Sequence, residues 1–256
     1  MNKKIAIIGF GHIGKALFQG LIASGLKKEH LFVSNSSQEN RKVAVLADWI
    51  IIAVKPGMVE AVIGEIKDII SNKIVISVSS VVNFSSIEKY AQNNKQKIIR
   101  LMPNIPAAIG EGTIGFFANK NVSIKERSDV INIFSRLGKV IECQKETELD
   151  VMTLLSGCGP AIVAYFVSLL VQSGEEFGLK KNKSEKIALQ TFAGTLIYLQ
   201  KTNQTAKELQ IAVATKGGMT EQIIKGFDEK EIASLFMKSL ERGYEKIKQI
   251  NDAINN

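Results

Sequence analysis

Cysteine and histidine are nearly missing from this chain: Cys143 and Cys158 are the only thiols, and His12 and His30 the only imidazoles. Two cysteines cannot frame a disulfide scaffold, and a reducing compartment fits them. The two histidines stand far from other ligand types, so no metal site is expected. Runs of like charge are missing as well. The 33 Lys and Arg against 25 Asp and Glu give a formal charge of +8, spread along the chain without interleaved aromatics. That pattern disfavours nucleic acid and suits a general attraction for small anions. No stretch is read as reaching the roughly 18 apolar residues of a membrane span. Lys3-Lys4 and the apolar residues behind them are broken at Gly9, Gly11 and His12, unlike a secretory leader. A cytoplasmic protein is expected, with no nucleic acid and no membrane among its partners. Low-complexity segments and internal repeats are absent too. What remains is an ordinary globular composition over 256 residues, a length that suits two domains.

The stretch Lys4 to Leu17 organises the first of them. Ile5 to Ile8 is a β-branched run that reads as a buried strand. It breaks into Gly9-Phe10-Gly11-His12-Ile13-Gly14, and a helix follows to about Ser24. Strand, glycine turn and helix in this order are the dinucleotide-binding arrangement. Gly9 permits the turn, Gly11 lets backbone approach a pyrophosphate, and Gly14 lets the helix lie close on the strand. The amides of the first helical turn would then face the phosphates. A ligand-free tight turn is the plain alternative.

Leu31 to Ser34 reads as the second strand, where an NAD enzyme usually places an acidic residue at the ribose. Here Ser34-Asn35-Ser36-Ser37 follows, with Arg41 and Lys42 behind. Hydroxyl and amide donors with nearby cations suit a 2′-phosphate, which favours NADPH, with NADH as the alternative. A polar strand-end turn explains the same residues without a ligand. Ala47 to Pro56 reads as a strand whose end, Ala53-Val54-Lys55-Pro56, should border the cofactor. A helix over Val59 to Ile70, a strand over Lys73 to Ser80 and a short helix opened by a capping box at Ser85-x-x-Glu88 come next. Ile98 to Met102 runs into Pro103-Asn104-Ile105-Pro106, where two prolines stiffen the loop around an amide suited to a substrate or nicotinamide contact, with a plain turn as the alternative. A strand from Gly110 to Ala118, a helix near Ser123 to Leu137 and a strand from Lys139 to Glu142 complete an alternating β/α half.

From Glu148 helical periodicity takes over. Leu155-Ser156-Gly157-Cys158-Gly159-Pro160 interrupts a helix, and Pro160 suits the first turn of a new one. The helix from Ala161 to Phe177 is apolar nearly all round through Val171, so it must be buried, plausibly against a second subunit. Leu189, Phe192, Leu196 and Leu199 share a face of the next helix, and Thr205-x-x-Glu208 is a capping box. Thr215-Lys216-Gly217-Gly218-Met219-Thr220 is a glycine break before a helix, whose amides suit a carboxylate. The fold class is therefore an α/β Rossmann-like dinucleotide-binding domain over residues 1–147, followed by an all-α dimerisation and substrate domain over 148–256.

In this order the landmarks resemble those of the pyrroline-5-carboxylate reductase family. The matching segments are the Gly9 loop, Ala53-Val54-Lys55-Pro56, Met102-Pro103-Asn104-Ile105-Pro106 with Gly110-Glu111-Gly112, Leu155 to Ala161, and Gly217-Gly218-Met219-Thr220. Two segments depart from the family pattern. Only about a dozen residues separate Asn35 from Asp48, where the family carries a longer helix and a small strand. Thr215-Lys216 stands where the family has Ser-Pro. The resemblance implies NADPH-dependent reduction of a cyclic imine to L-proline, in a homodimer or a higher oligomer built from dimers. It implies that Gly9 to Gly14, Asn35, Ser36 and Ala53 to Pro56 hold the cofactor. Gly217 and Gly218 would offer amides to the substrate carboxylate, with Asn104 at the substrate, and the Thr220 hydroxyl would hydrogen-bond the ring nitrogen as the catalytic group. For Thr220 a helix N-cap is the structural alternative. Three other readings stay open: a reductase of a related imine, a 3-hydroxyacid dehydrogenase, and a non-catalytic nucleotide-binding regulator. The dehydrogenase needs a lysine that Leu154 to Ala161 lacks.

Overall fold

The structure is a computed structural model and describes residues 3–255. Seven strands form one sheet in the order β2-β1-β3-β4-β5-β6-β7. They are β1 (Ile5–Ile8), β2 (Leu31–Ser34), β3 (Trp49–Ile52), β4 (Ile74–Ser77), β5 (Lys97–Met102), β6 (Gly112–Ala118) and β7 (Gly138–Glu142). β1 to β5 run parallel; β6 pairs antiparallel with β5, and β7 follows β6 in parallel. The helices between them are α1 (His12–Ala23), α2 (Ser37–Leu46), α3 (Val59–Ile70), α4 (Phe84–Ala91) and α5 (Ile124–Phe134).

Parallel strands covered on both faces need apolar residues without alternation, and every residue of β1, β3 and β4 but Ser77 is aliphatic or Trp and all are buried. Strand alternation then splits them between two layers. Ile5, Ile7, Trp49 and Ile51 pack with Leu17 and Leu21 of α1 and with Val130, Ile133 and Phe134 of α5. Ala6, Ile8, Ile50 and Ile52 pack with Ala44 of α2 and with Val59, Val62, Ile63, Ile66 and Ile70 of α3. These α3 positions recur at helical spacing, and full burial of each such side chain contributes about 1.5–3 kcal/mol relative to exposure.

Beyond the sheet come α6 (Glu148–Met152), a π-helical turn (Thr153–Gly157), α7 (Gly159–Glu176), α8 (Lys181–Thr202), α9 (Ala206–Val213), α10 (Met219–Glu229) and α11 (Ile232–Asn255). By internal contacts, everything up to Pro160 together with α11 from Gly243 makes one compact unit, and Ala161–Arg242 makes the other. The stretch 148–160 lies in the first unit, where Leu149 is buried and lies against Gly115 of β6.

Several local expectations are corrected. The third and fourth strands stop short of Lys55 and Ser80, because each ladder ends where its neighbour's does. The helix expected to open with a Ser85–Glu88 capping box is capped instead by Asn83, whose side chain accepts the Ser86 amide at 2.8 Å and leaves Ser85 inside the helix. The run Glu148–Glu176 is long and apolar enough to cross a membrane by length and composition, where the sequence predicts none, because the π turn makes the helix continuous across Thr153–Gly157. No residue of α7 is buried within the chain itself, so the burial expected for it is left to a second subunit. In the helical unit only Ser184 and Ala188 are buried among the described residues. Tyr165, Phe166, Leu169, Leu170, Leu196, Ile197 and Tyr198 are exposed, so the unit has almost no core of its own.

Candidate active site

In a parallel sheet the ligand crevice opens at the carboxyl ends of the strands where the order reverses. Here that point lies between β1 and β3, and it brings the Gly9 loop against Ala53. Gly9 has φ of +98°, which favours glycine, and a Cβ on it would stand 2.5 Å from the Ala53 carbonyl oxygen. A Cβ on Gly14 would stand 2.2 Å from the Gly9 oxygen, so this glycine sets how closely α1 lies on the turn. Gly11 is different. It is the N-cap of α1, exposed, with ordinary dihedrals, and a Cβ there would meet nothing within 4 Å. The fold thus requires two of the three glycines, while at Gly11 it leaves room for a side chain. His12 is exposed; Phe10 and Ile13 are half-buried, with Phe10 edge-on to Phe18 and Ile13 packed on the core. α1 opens without a side-chain cap or an acidic residue in its first turn, which suits an anion at its N-terminus.

Across the crevice Ala53, Val54 and Pro56 are half-buried, and Lys55 is exposed as the N-cap of a 3₁₀ turn over Pro56–Met58. At the end of β2, Asn35 and Ser36 are exposed. The turn they sit on is braced from below. The buried Ser34 hydroxyl lies 2.7 Å from Asn40 Oδ1 and 2.9 Å from the Ser36 carbonyl, and Asn40 donates to Glu65 at 2.7 Å. Arg41, read as a cation for a 2′-phosphate, is engaged elsewhere: its guanidinium forks onto both oxygens of Asp68 at 2.7 Å each and onto the Glu65 carbonyl. That hydrogen-bonded fork holds the Asp68 carboxyl down to about 2.

The Asn104 loop is fixed by its own amide. Asn104 is buried, its Oδ1 accepts the Thr113 amide at 2.9 Å, and its Nδ2 donates to the Ser156 carbonyl at 3.1 Å. A Cβ on Gly157 would meet the Met102 methyl at 2.8 Å. The Met-Pro-Asn loop and the Leu-Ser-Gly turn, distant in sequence, are therefore clamped together. Sequence reading missed Arg100, although an arginine inside an apolar strand was a visible signal. It is buried, pairs with Glu146 at 2.7 Å and donates to the Ser80 carbonyl, beside a cavity of about 250 Å³ that Asp150 and Asn251 also line.

In the helical unit, α10 begins directly after the glycine break. Gly218 is its N-cap, so Thr220 is the second helical residue and not the cap, which removes that alternative for its hydroxyl. Thr220 is half-buried. Gly217 has φ of +76°, and its amide donates to Glu221 Oε2 at 2.7 Å; the Gly218 amide donates to the Thr215 carbonyl at 2.9 Å.

Comparison with known proteins gives these features a family. The model for pyrroline-5-carboxylate reductase dimerisation matches residues 146–250, and that for NADP oxidoreductase coenzyme F420-dependent matches 4–47 and 34–81. The chain is 30% identical to a pyrroline-5-carboxylate reductase of Aquifex aeolicus, over 98% of each. It belongs to the pyrroline-5-carboxylate reductase family. Solved structures agree. A Plasmodium falciparum pyrroline carboxylate reductase with NADP bound superposes with a TM-score of 0.91 at 30% identity, covering 98% of both chains. A Coxiella burnetii pyrroline-5-carboxylate reductase gives 0.85 at 30% identity, covering 97% of this chain and 98% of that one. The dimerisation match spans the helices with so little core, which gives their bare apolar faces a use in a reductase of this family.

Proposed function

We propose that this protein reduces 1-pyrroline-5-carboxylate to L-proline with NADPH, the final step of proline synthesis, as a cytoplasmic homodimer or a higher oligomer built from dimers. The observation that carries the reading is membership of the reductase family over nearly the whole chain, together with open space at Gly11, the N-cap of α1. Gly9 to Gly14, Asn35, Ser36 and Ala53 to Pro56 would hold the cofactor. When bound, it supplies the hydride to the imine carbon. With Arg41 committed to Asp68, recognition of a 2′-phosphate rests on Asn35, Ser36 and the N-terminus of α2, so NADH remains the alternative cofactor.

A protonated imine is already electrophilic, so the chain's part is alignment and proton control rather than strong base catalysis. Gly217 and Gly218 form the loop for the substrate carboxylate, and the Thr220 hydroxyl keeps the proton on the ring nitrogen while the C=N bond takes up the hydride. Asn104 serves the substrate side by fixing the loop from Pro103 to Pro106. We divide these roles between residues 1–147 for the cofactor and 148–256 for substrate and dimerisation. Following loss of NADPH absorbance with the purified protein tests the reading, with pyrroline-5-carboxylate beside a related imine and with NADH at matched concentration. Turnover of the carboxylated imine with NADPH is expected. A silent wild-type protein that binds NADPH would make it a nucleotide-binding regulator instead.

A further inference from the structure

The carboxylate site proposed above already receives a carboxylate in this structure, the chain's own. Glu221 is the third residue of α10, and its side chain turns back so that Oε2 accepts the Gly217 amide at 2.7 Å. Its other oxygen, Oε1, lies 3.6 Å from Lys225 Nζ, one turn further along the same helix. We propose that Glu221 is a specificity-determining residue that competes with the substrate carboxylate for the Gly217 amide, so that substrate binds by exchange of one carboxylate for another. The inference rests on the reading of this loop as the substrate site.

Three features of the loop support it. Gly217 has φ of +76° and is exposed, and its amide holds a carboxylate oxygen. Two carboxylates cannot share one amide without like-charge repulsion, so Glu221 must leave when an anionic substrate arrives. Lys225 gives it a place to go, since a small side-chain rotation exchanges the amide for the ammonium already beside it. A ring without a carboxylate offers nothing to the Gly217 amide and leaves Glu221 in place. The contact therefore sets a threshold for ligands that carry a carboxylate and sets none at this amide for a ring that lacks one. An acidic residue three places into a helix also has a purely local use, bonding back to the amides before the helix. The two roles predict opposite signs for the same substitution.

Glu221→Ala and Glu221→Gln should be assayed with NADPH and two substrates, pyrroline-5-carboxylate and the same cyclic imine without its carboxylate, with melting curves alongside. Glu221→Gln keeps an acceptor for the Gly217 amide and removes the charge, so it serves if Glu221→Ala folds poorly. Competition predicts that KM for the carboxylated imine falls by about tenfold, equivalent to about 1.4 kcal/mol, while KM for the carboxylate-free ring does not fall. A KM for the carboxylated imine that is unchanged or raised overturns the inference, and a raised one assigns Glu221 to capping alone. If the wild-type protein turns over neither imine, the reading of the function falls and the inference with it. Turnover by the wild type with no fall in KM in the variants removes the inference and leaves the function standing.

Discussion

Three glycines in six residues make separable predictions because the structure assigns them different neighbours. On Gly14 a Cβ would lie 2.2 Å from the Gly9 oxygen, 3.2 Å from its carbonyl carbon and 3.6 Å from the Ala53 Cβ. The first two contacts are backbone and cannot rotate away, so Gly14→Ala must push α1 off the turn. Overpacking of this kind costs about 1–3 kcal/mol, or a fall of roughly 2–10 °C in a chain of this size. On Gly11 a side chain meets nothing within 4 Å, and φ of −71° suits any residue. Gly11→Val should therefore lose only the modest preference for glycine at an N-cap, about 0.5–1 kcal/mol, and fold. What it should lose is the cofactor, because its branched side chain stands where the pyrophosphate must come. Thermal unfolding with and without NADPH reads both effects. A ligand at 100 times its Kd stabilises by about 2.7 kcal/mol, so the wild-type Tm should rise by several degrees and that of Gly11→Val should not. Gly14→Ala should start lower and still rise. A full NADPH-dependent rise in Gly11→Val would refute the cofactor assignment, and an equal loss of Tm in the two variants without ligand would refute the division of roles.

Thr220→Val keeps the side-chain shape and removes the hydroxyl; since Gly218 caps the helix, Tm should hold while kcat/KM for the imine falls by about tenfold, worth about 1.4 kcal/mol, and unchanged kinetics would remove Thr220 from catalysis. The Asp68 carboxyl is lowered from 3.8 to about 2 by its hydrogen bonds with Arg41, so its contribution to stability is complete above about pH 4 and is lost as pH falls toward 2. Carboxyl chemical shifts followed through an acid titration should place Asp68 near 2, and Arg41→Ala should return it to the ordinary range. Light scattering at micromolar concentration should give at least a dimer mass; a monomer would leave the bare faces of α7 and α8 without an account.

The sheet was legible because parallel strands buried on both faces leave an unmistakable pattern. Ile5–Ile8 and Trp49–Ile52 are runs with no polar residue at all. The capping box at Thr205 and Glu208 was legible for a different reason, since both of its hydrogen bonds join residues three apart. The cap at Asn83 was missed on the same local grounds. Asn83-x-x-Ser86 and Ser85-x-x-Glu88 compete within one turn, and only the emerging chain direction decides which residue lies outside the helix. Arg41 could be recognised as a cation near the ribose end of β2, but its partner Asp68 lies 27 residues away on α3. The length of a charged side chain's reach says nothing of which partner it finds.

The hardest feature to foresee was the one that joins two of the segments that match the family pattern. Read locally, Asn104 between two prolines is a rigid amide offered to a ligand. In the folded chain its oxygen is bonded nine residues ahead, at Thr113, and its nitrogen 52 residues ahead, at Ser156. The second bond ends at the π turn, where the wider backbone gives Ser156 its place. The two segments thus hold one another: the Asn104 amide donates to a carbonyl of the turn, and a side chain at Gly157 would run into Met102. A loop fixed in this way at the carboxyl end of β5 has lost its conformational entropy before any substrate arrives. Loss of that freedom in advance is what alignment-based catalysis requires, so under the proposed function the clamp at Asn104 would serve alignment of the substrate.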